Sequence, residues 1–163
     1  MSIICKKYTS KSVKETHKIS EEFLKEISKK HYVNALVAVL QGDLGSGKTE
    51  FVKGLKKELK IENNILSPTF VLMKVYNIFN LKFGFQKMYH FDLYRLLEGK
   101  IKEKNIVEAL ETLNIYDILN DKKNIVFIEW GESLKMLKKY SPVIIEIKNK
   151  GNEDREILIK YIN

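Results

Sequence analysis

Eight consecutive residues, Gly42-Asp43-Leu44-Gly45-Ser46-Gly47-Lys48-Thr49, match the pattern G-x-x-x-x-G-K-[ST] at every fixed position. That loop needs a strand before it and a helix after it, so it constrains the chain more than any other stretch. Ala35 to Leu40 is an unbroken apolar run, as in a strand buried on both faces of a parallel sheet. After Lys48, the residues Phe51, Val52, Leu55 and Leu59 recur at helical spacing and predict a helix to about Lys60. Each residue type has a chemical reason. Gly45 and Gly47 let successive N–H groups turn inward, making an anion cradle at the start of a helix. Lys48 reaches the β- and γ-phosphates of a nucleotide, and Thr49 offers its hydroxyl to Mg²⁺. Asp43, Leu44, Ser46 and Glu50 complete the predicted nucleotide-binding segment.

The remaining pattern predicts an α/β fold: a P-loop NTPase-like mixed, mostly parallel central sheet flanked by helices, with antiparallel hairpins. Ile3 to Tyr8 reads as an edge strand, and Ser12-Val13-Lys14-Glu15 as a capping box. Val13, Ser20, Phe23, Leu24 and Ile27 form one face of the helix that follows. Pro68 holds Ser67 out of helical geometry, which places Thr69 at a loop–strand junction. Phe70 to Phe79 and Phe85 to Asp92 read as a hairpin. A helical stretch between Tyr94 and Leu119 presents Val107, Leu110 and Leu113, with Tyr116 and Leu119 in a second short turn. Ile125 to Ile128 is a buried strand ending at Glu129-Trp130-Gly131, and Leu134, Met136 and Leu137 suggest a short helix. Val143 to Lys148 and Glu156 to Ile162 close the chain around a polar turn. At 163 residues, without repeats or a low-complexity linker, residues 1–163 read as one domain.

A phosphate loop needs a carboxylate at a nearby strand end to hold Mg²⁺ and a group to position the attacking water. Asp92 and Glu129 each close an apolar strand, at the edge where ligands of open α/β sheets bind. The sequence leaves open how the two divide metal binding and water activation. Trp130 follows Glu129; a lone tryptophan there either stacks on the nucleotide or belongs to the core. Guanine specificity is disfavoured, because Asn149-Lys150-Gly151-Asn152 lacks the final Asp of an N-K-x-D loop. Adenine is preferred.

Charge and cysteine content narrow the classes further. The net charge is +8, but Arg95 and Arg155 are the only arginines. Arginine supplies most bidentate contacts to nucleic acid, and the lysines are spread along the chain, so a solvated lysine surface is favoured over an RNA face, with transient RNA contact left open. Cys5 stands alone, excluding an intramolecular disulfide, and His17, His31 and His90 lack metal-ligand spacing. With no apolar leader at Met1 to Lys7, the cytoplasm is the expected location.

Four stretches, Gly42 to Thr49, Ser67-Pro68-Thr69-Phe70, His90-Phe91-Asp92-Leu93-Tyr94-Arg95 and Ile128-Glu129-Trp130, together resemble the bacterial tRNA threonylcarbamoyladenosine biosynthesis ATPase subunit family, TsaE, also called YjeE. The resemblance implies an ATP- and Mg²⁺-dependent ATPase acting with TsaD and TsaB to make N6-threonylcarbamoyladenosine at position 37 of tRNAs reading codons that begin with A. Hydrolysis would reset the complex between rounds, while TsaD transfers the group. By position it implies phosphate and metal contacts for Lys48 and Thr49, a second metal-side residue in Glu129, and a residue needed for hydrolysis in Asp92. It also implies a switch-like loop at Thr69 and a nucleotide neighbour in Trp130. Ser46 departs from a common alanine and Glu50 from a frequent threonine, Glu50 adding negative charge near the phosphates. Asn77 to Gln86 is longer than usual and reads as a hairpin extension. A small-molecule kinase is disfavoured by the scarcity of arginines for a closing lid. A regulatory GTPase is disfavoured because Asp92 is followed by Leu93-Tyr94-Arg95 rather than by a D-x-x-G. A nucleotide switch with negligible turnover remains the third alternative.

Overall fold

The apolar run before the phosphate loop becomes the middle of a seven-stranded sheet. In the computed structural model, which describes residues 3–162, the strands are β1 (Ile3–Ser10), β2 (Leu36–Gln41), β3 (Met73–Asn77), β4 (Lys87–Asp92), β5 (Asn124–Glu129), β6 (Val143–Gly151) and β7 (Asp154–Ile162). Their order is β1-β7-β6-β2-β5-β4-β3. β6, β2, β5 and β4 run parallel, while β3 and the β7–β1 pair flank them antiparallel. The helices are α1 (Val13–Ile27), α2 (Lys48–Lys53), α3 (Lys56–Leu59), α4 (Tyr94–Glu98), α5 (Glu103–Glu111) and α6 (Ile115–Asn120).

Strand alternation divides the core into two layers. Leu36, Ala38 and Leu40 of β2, with Ile125 and Phe127 of β5, face α1, α2 and α3 through Phe23, Leu24, Phe51 and Leu59. Val37, Val39, Val126 and Ile128 face the opposite layer, built on Ile106, Leu110, Ile115 and Leu119. Both faces of the central strands are therefore covered, which is why they read as continuous apolar runs rather than alternating ones.

The structure refines several sequence expectations. Ser12 caps α1 by accepting from the N–H of Glu15 at 3.2 Å, but the Glu15 carboxylate reaches back to the N–H of Lys11, one residue beyond the usual capping-box partner. Thr16 and Ile19 join the buried face of α1, while Val13 is only half-buried. On α5 the buried pair is Ile106 and Leu110, and Val107 and Leu113 lie half-buried beside it. The expected strand from Phe70 starts only at Met73, because Val71 N–H turns back to the carbonyl of Pro68 and Leu72 takes a φ of 64°. Phe70 and Val71 are left exposed, and Thr69 lies in a turn before the strand rather than at its junction. The 78–86 extension is packed: Ile78, Phe83 and Phe85 enter the core, and Asn80 Nδ2 donates to the Glu58 carbonyl at 2.6 Å.

The helix expected to reach Lys60 is instead divided at Gly54. A Cβ at Gly54 would lie 2.1 Å from Ser20 Oγ and 2.6 Å from His17 Cα, so the residue is where α1 crosses the phosphate-loop helix. Gly54→Ala gains up to about 1 kcal/mol of helix propensity but must push the α1 backbone away, at about 1–3 kcal/mol. The clash wins. A lower thermal midpoint, by several degrees at roughly 2–4 °C per kcal/mol, is expected by calorimetry; a raised midpoint would mean that α1 gives way freely.

Candidate functional site

The phosphate loop opens at the end of β2, where the strand delivers its last residues beside the ends of β5 and β4. Gly45 and Gly47 adopt φ of 77° and 108°, a region open to glycine without strain, and Gly47 turns the chain directly into α2. Lys48 is buried, and its Nζ donates to the carbonyls of Gly42 at 2.7 Å and Asp43 at 3.0 Å. The ammonium also lies 4.5 Å from the centre of the Trp130 ring. Burial pushes the Lys48 ammonium below its ordinary pKa, opposed by the charges of Glu129 and Asp92.

Asp92 and Glu129 are direct neighbours across the β4–β5 ladder, so two strand ends place two carboxylates side by side. Both are buried. Glu129 Oε1 accepts from the Thr49 hydroxyl at 3.0 Å and from His90 Nε2 at 2.8 Å. Asp92 Oδ1 accepts from the Tyr94 N–H at 2.9 Å, and Oδ2 accepts from the Thr69 hydroxyl. Ser67 Oγ lies 2.6 Å from Thr69 Oγ1, so the turn after Pro68 is tied to the Asp92 carboxylate through adjacent hydroxyls.

Trp130 has a φ of 63° and donates its N–H to the Leu40 carbonyl, which swings the ring out of the β5 line and over Lys48. Tyr94 packs against it at 5.3 Å between ring centres. The Glu50 side chain is directed to His17 Nε2 at 3.2 Å and Lys53 Nζ at 2.6 Å. Burial raises its pKa, but the hydrogen bonds from Lys53 and His17 outweigh that and hold the carboxyl below its ordinary value. The negative charge anticipated near the phosphates is thus already countered by its own neighbours.

A cleft of about 240 Å³ joins these parts, lined by Gly47, Lys48, Thr49, Thr69, Asp92 and Glu129 among others. Leu44, Gly45, Glu50 and Trp130 also border it; Asp43 contributes its carbonyl to Lys48 from outside, and Ser46 is buried with its Oγ unpartnered among the described residues. Arg155 enters the same cleft from the start of β7, its side chain so close to Gly47 that a Cβ there would lie 2.6 Å from Nε. Arg95 is elsewhere, with its guanidinium 4.3 Å from the Phe70 ring centre.

Among the described residues no three His, Cys, Asp or Glu side chains gather into a protein-only metal cage. The hard-oxygen set of Thr49 hydroxyl and Glu129 carboxylate nevertheless fits Mg²⁺, which is held through one or two protein oxygens together with phosphates and water.

The family model described as "Threonylcarbamoyl adenosine biosynthesis protein TsaE" matches residues 10–157. The chain belongs to the TsaE family. A curated relative named tRNA threonylcarbamoyladenosine biosynthesis protein TsaE, from Rickettsia typhi, is 33% identical over 159 residues, covering 96% of this chain and 95% of its own length. The Haemophilus influenzae protein of the same name is 32% identical over 130 residues, or 80% of this chain and 73% of its own length. The crystal structure of YdiB from Bacillus subtilis superposes with a TM-score of 0.67 at 23% identity, covering 100% of this chain and 89% of that one, and supports the fold.

Two further side chains of this cleft have no role that the sequence assigns. His90 opens one of the four stretches that carry the resemblance, but the sequence gives it no role beyond disfavouring it as a metal ligand; it is fully buried and donates Nε2–H to Glu129, leaving Nδ1 without a partner among the described residues. Its place two residues before Asp92 on a strand was the available signal, since period-two neighbours share a face. Arg155 offered no such signal, because only the β6–β7 hairpin returns it to the loop.

Proposed function

We propose that this chain is the Mg²⁺-dependent ATPase subunit of the machinery that forms N6-threonylcarbamoyladenosine at position 37 of tRNAs reading codons beginning with A. It works in the cytoplasm with TsaD and TsaB, and its hydrolysis resets the complex between rounds. The observation that carries this reading is the convergence of Lys48, Thr49, Glu129 and Asp92 on one cleft, in a chain of the TsaE family.

Each residue has a distinct task. The loop N–H groups cradle the phosphates, and Lys48 exchanges its loop carbonyls for β- and γ-phosphate oxygens. Thr49 and Glu129 would hold Mg²⁺, which would neutralise phosphate charge, and the bond from His90 to Glu129 Oε1, the same oxygen that accepts from Thr49, would fix the carboxylate's orientation as outer hydrogen bonds do for metal ligands. Asp92 orients the attacking water and accepts its proton; Thr69, bonded to Asp92, links that carboxylate to the turn facing the γ-phosphate. Trp130 lies beside the nucleotide and closes one side of the cleft. Arg155 adds a second cation to the phosphate site. Arg155→Ala is expected to weaken ATP binding roughly ten- to a hundredfold, the worth of a hydrogen bond to a charged group. Calorimetric titration with a non-hydrolysable analogue checks this, and unchanged affinity would remove Arg155 from the site.

The test of the whole reading is ATP hydrolysis by the purified chain, alone and with TsaD and TsaB. Stimulation by the partners supports the proposal. Phosphate transfer to an added acceptor would make it a kinase, and nucleotide-dependent partner binding without turnover would make it a switch.

A further inference from the structure

The phosphate cleft uses one end of the parallel strands; the other end gathers positive charge. Where β2, β4, β5 and β6 begin, exposed lysines from separate parts of the chain line two adjoining clefts that share Lys30, His31 and Tyr32. Lys30 follows α1, Lys82 comes from the turn between β3 and β4, Lys122 and Lys123 precede β5, and Lys139 precedes β6. Lys29 stands beside them in the second cleft. Of these lysines, only Lys82 has an ion-pair partner among the described residues, Glu58 at 3.5 Å. Lys30 and Lys139 instead stand over the rings of Tyr161 and Tyr140, at 4.6 and 4.8 Å from their centres. Those contacts orient the ammonium groups and leave their charge uncompensated. Two carboxylates of this region have other partners: Asp121 accepts the Lys123 backbone N–H, and Glu26 accepts the Tyr161 hydroxyl and pairs with Lys6.

We propose that this end of the sheet binds the phosphate backbone of RNA. Lysines act as point charges on phosphates and do not read bases through a planar fork, so the contact is independent of sequence. Both arginines are committed elsewhere, Arg155 beside Gly47 and Arg95 against Phe70, which fits a surface that holds a backbone without reading it. The clefts are concave and include the half-buried Tyr32 ring, 6.3 Å from Phe85, giving a base or ribose an aromatic wall between the charges. The choice of tRNA as the RNA rests on the function proposed above; the charge geometry does not.

The test is the binding of a labelled tRNA transcript, followed by fluorescence anisotropy across a salt series. The wild-type chain is compared with the combined variant Lys30→Glu, Lys122→Glu, Lys123→Glu, and with Lys102→Glu, Lys104→Glu, whose exposed lysines lie on α5 and just before it. The first variant is expected to bind at least tenfold more weakly. Its slope of log affinity against log salt should be shallower by roughly two, at about 0.7 per lost phosphate contact. The α5 variant should keep wild-type binding, and the first variant should keep the hydrolysis rate of the isolated chain. Should the triple reversal fail to fold, Lys29→Ala with Lys139→Ala is expected to flatten the slope by about 1.4. The proposal is overturned by absent wild-type tRNA binding, by equal losses in both reversal variants, or by full displacement of tRNA by polyglutamate at matched charge, which would make the end a docking face for an acidic protein. Loss of tRNA binding with hydrolysis intact upholds it, while unchanged tRNA binding defeats it and leaves the ATPase reading standing.

Discussion

Replacing Asp92 by asparagine is expected to leave ATP bound and stop its hydrolysis. The substitution keeps the size of a buried residue and keeps an oxygen for the Tyr94 N–H at 2.9 Å. The amide nitrogen faces Thr69, whose hydroxyl can rotate from donating to accepting. Fold and cleft shape are therefore preserved, and the proton-accepting carboxylate is what disappears. General-base groups contribute about 10²–10⁴ in rate, so single-turnover hydrolysis should fall by that range while the affinity for ATP changes little. A parallel loss of affinity would show that Asp92 holds metal or phosphate. Unchanged turnover would pass the base to Glu129, the other carboxylate on the ladder.

Lys48→Met is expected to have the complementary effect, removing tight ATP binding together with hydrolysis. The methionine keeps an apolar stem under Trp130, so the loss of packing is small. What goes is a buried ammonium whose removal leaves phosphate charge unpaired in the cleft, worth about 2–5 kcal/mol, or roughly thirtyfold to several thousandfold in affinity. In the protein without nucleotide, the variant also leaves the Gly42 and Asp43 carbonyls without their side-chain donor. Titration calorimetry with ATP and Mg²⁺ measures the first effect. Wild-type affinity in Lys48→Met would mean that the loop amides and Arg155 carry the phosphates unaided.

The phosphate loop was legible in the sequence because it is a backbone device: fixed glycines, one lysine and one hydroxyl between a strand and a helix determine its shape locally. Asp92 and Glu129 were legible as strand ends, but their adjacency is a matter of β4–β5 register that no local pattern carries. Phe70 and Val71 look like the start of a strand and instead lie exposed in a turn, since the Val71–Pro68 hydrogen bond outweighs β-propensity there. The α2–α3 break is equally non-local: Gly54 has helical dihedrals, and only the approach of His17 and Ser20 shows why a side chain is excluded. The lysines look dispersed along the chain for the same reason. The common starting edge of four parallel strands brings them together, and that edge exists only once the sheet has formed.

Trp130 is the sole tryptophan of the chain; its ring centre stands 4.5 Å from the Lys48 ammonium and 5.3 Å from the Tyr94 ring centre. Excited at its red edge, where the eight tyrosines do not absorb, that indole is an optical label for the cleft. Any ligand that draws Lys48 away from the indole alters the electric field across that ring, so the tryptophan emission of the protein reports the state of a single site without a dye or a tag.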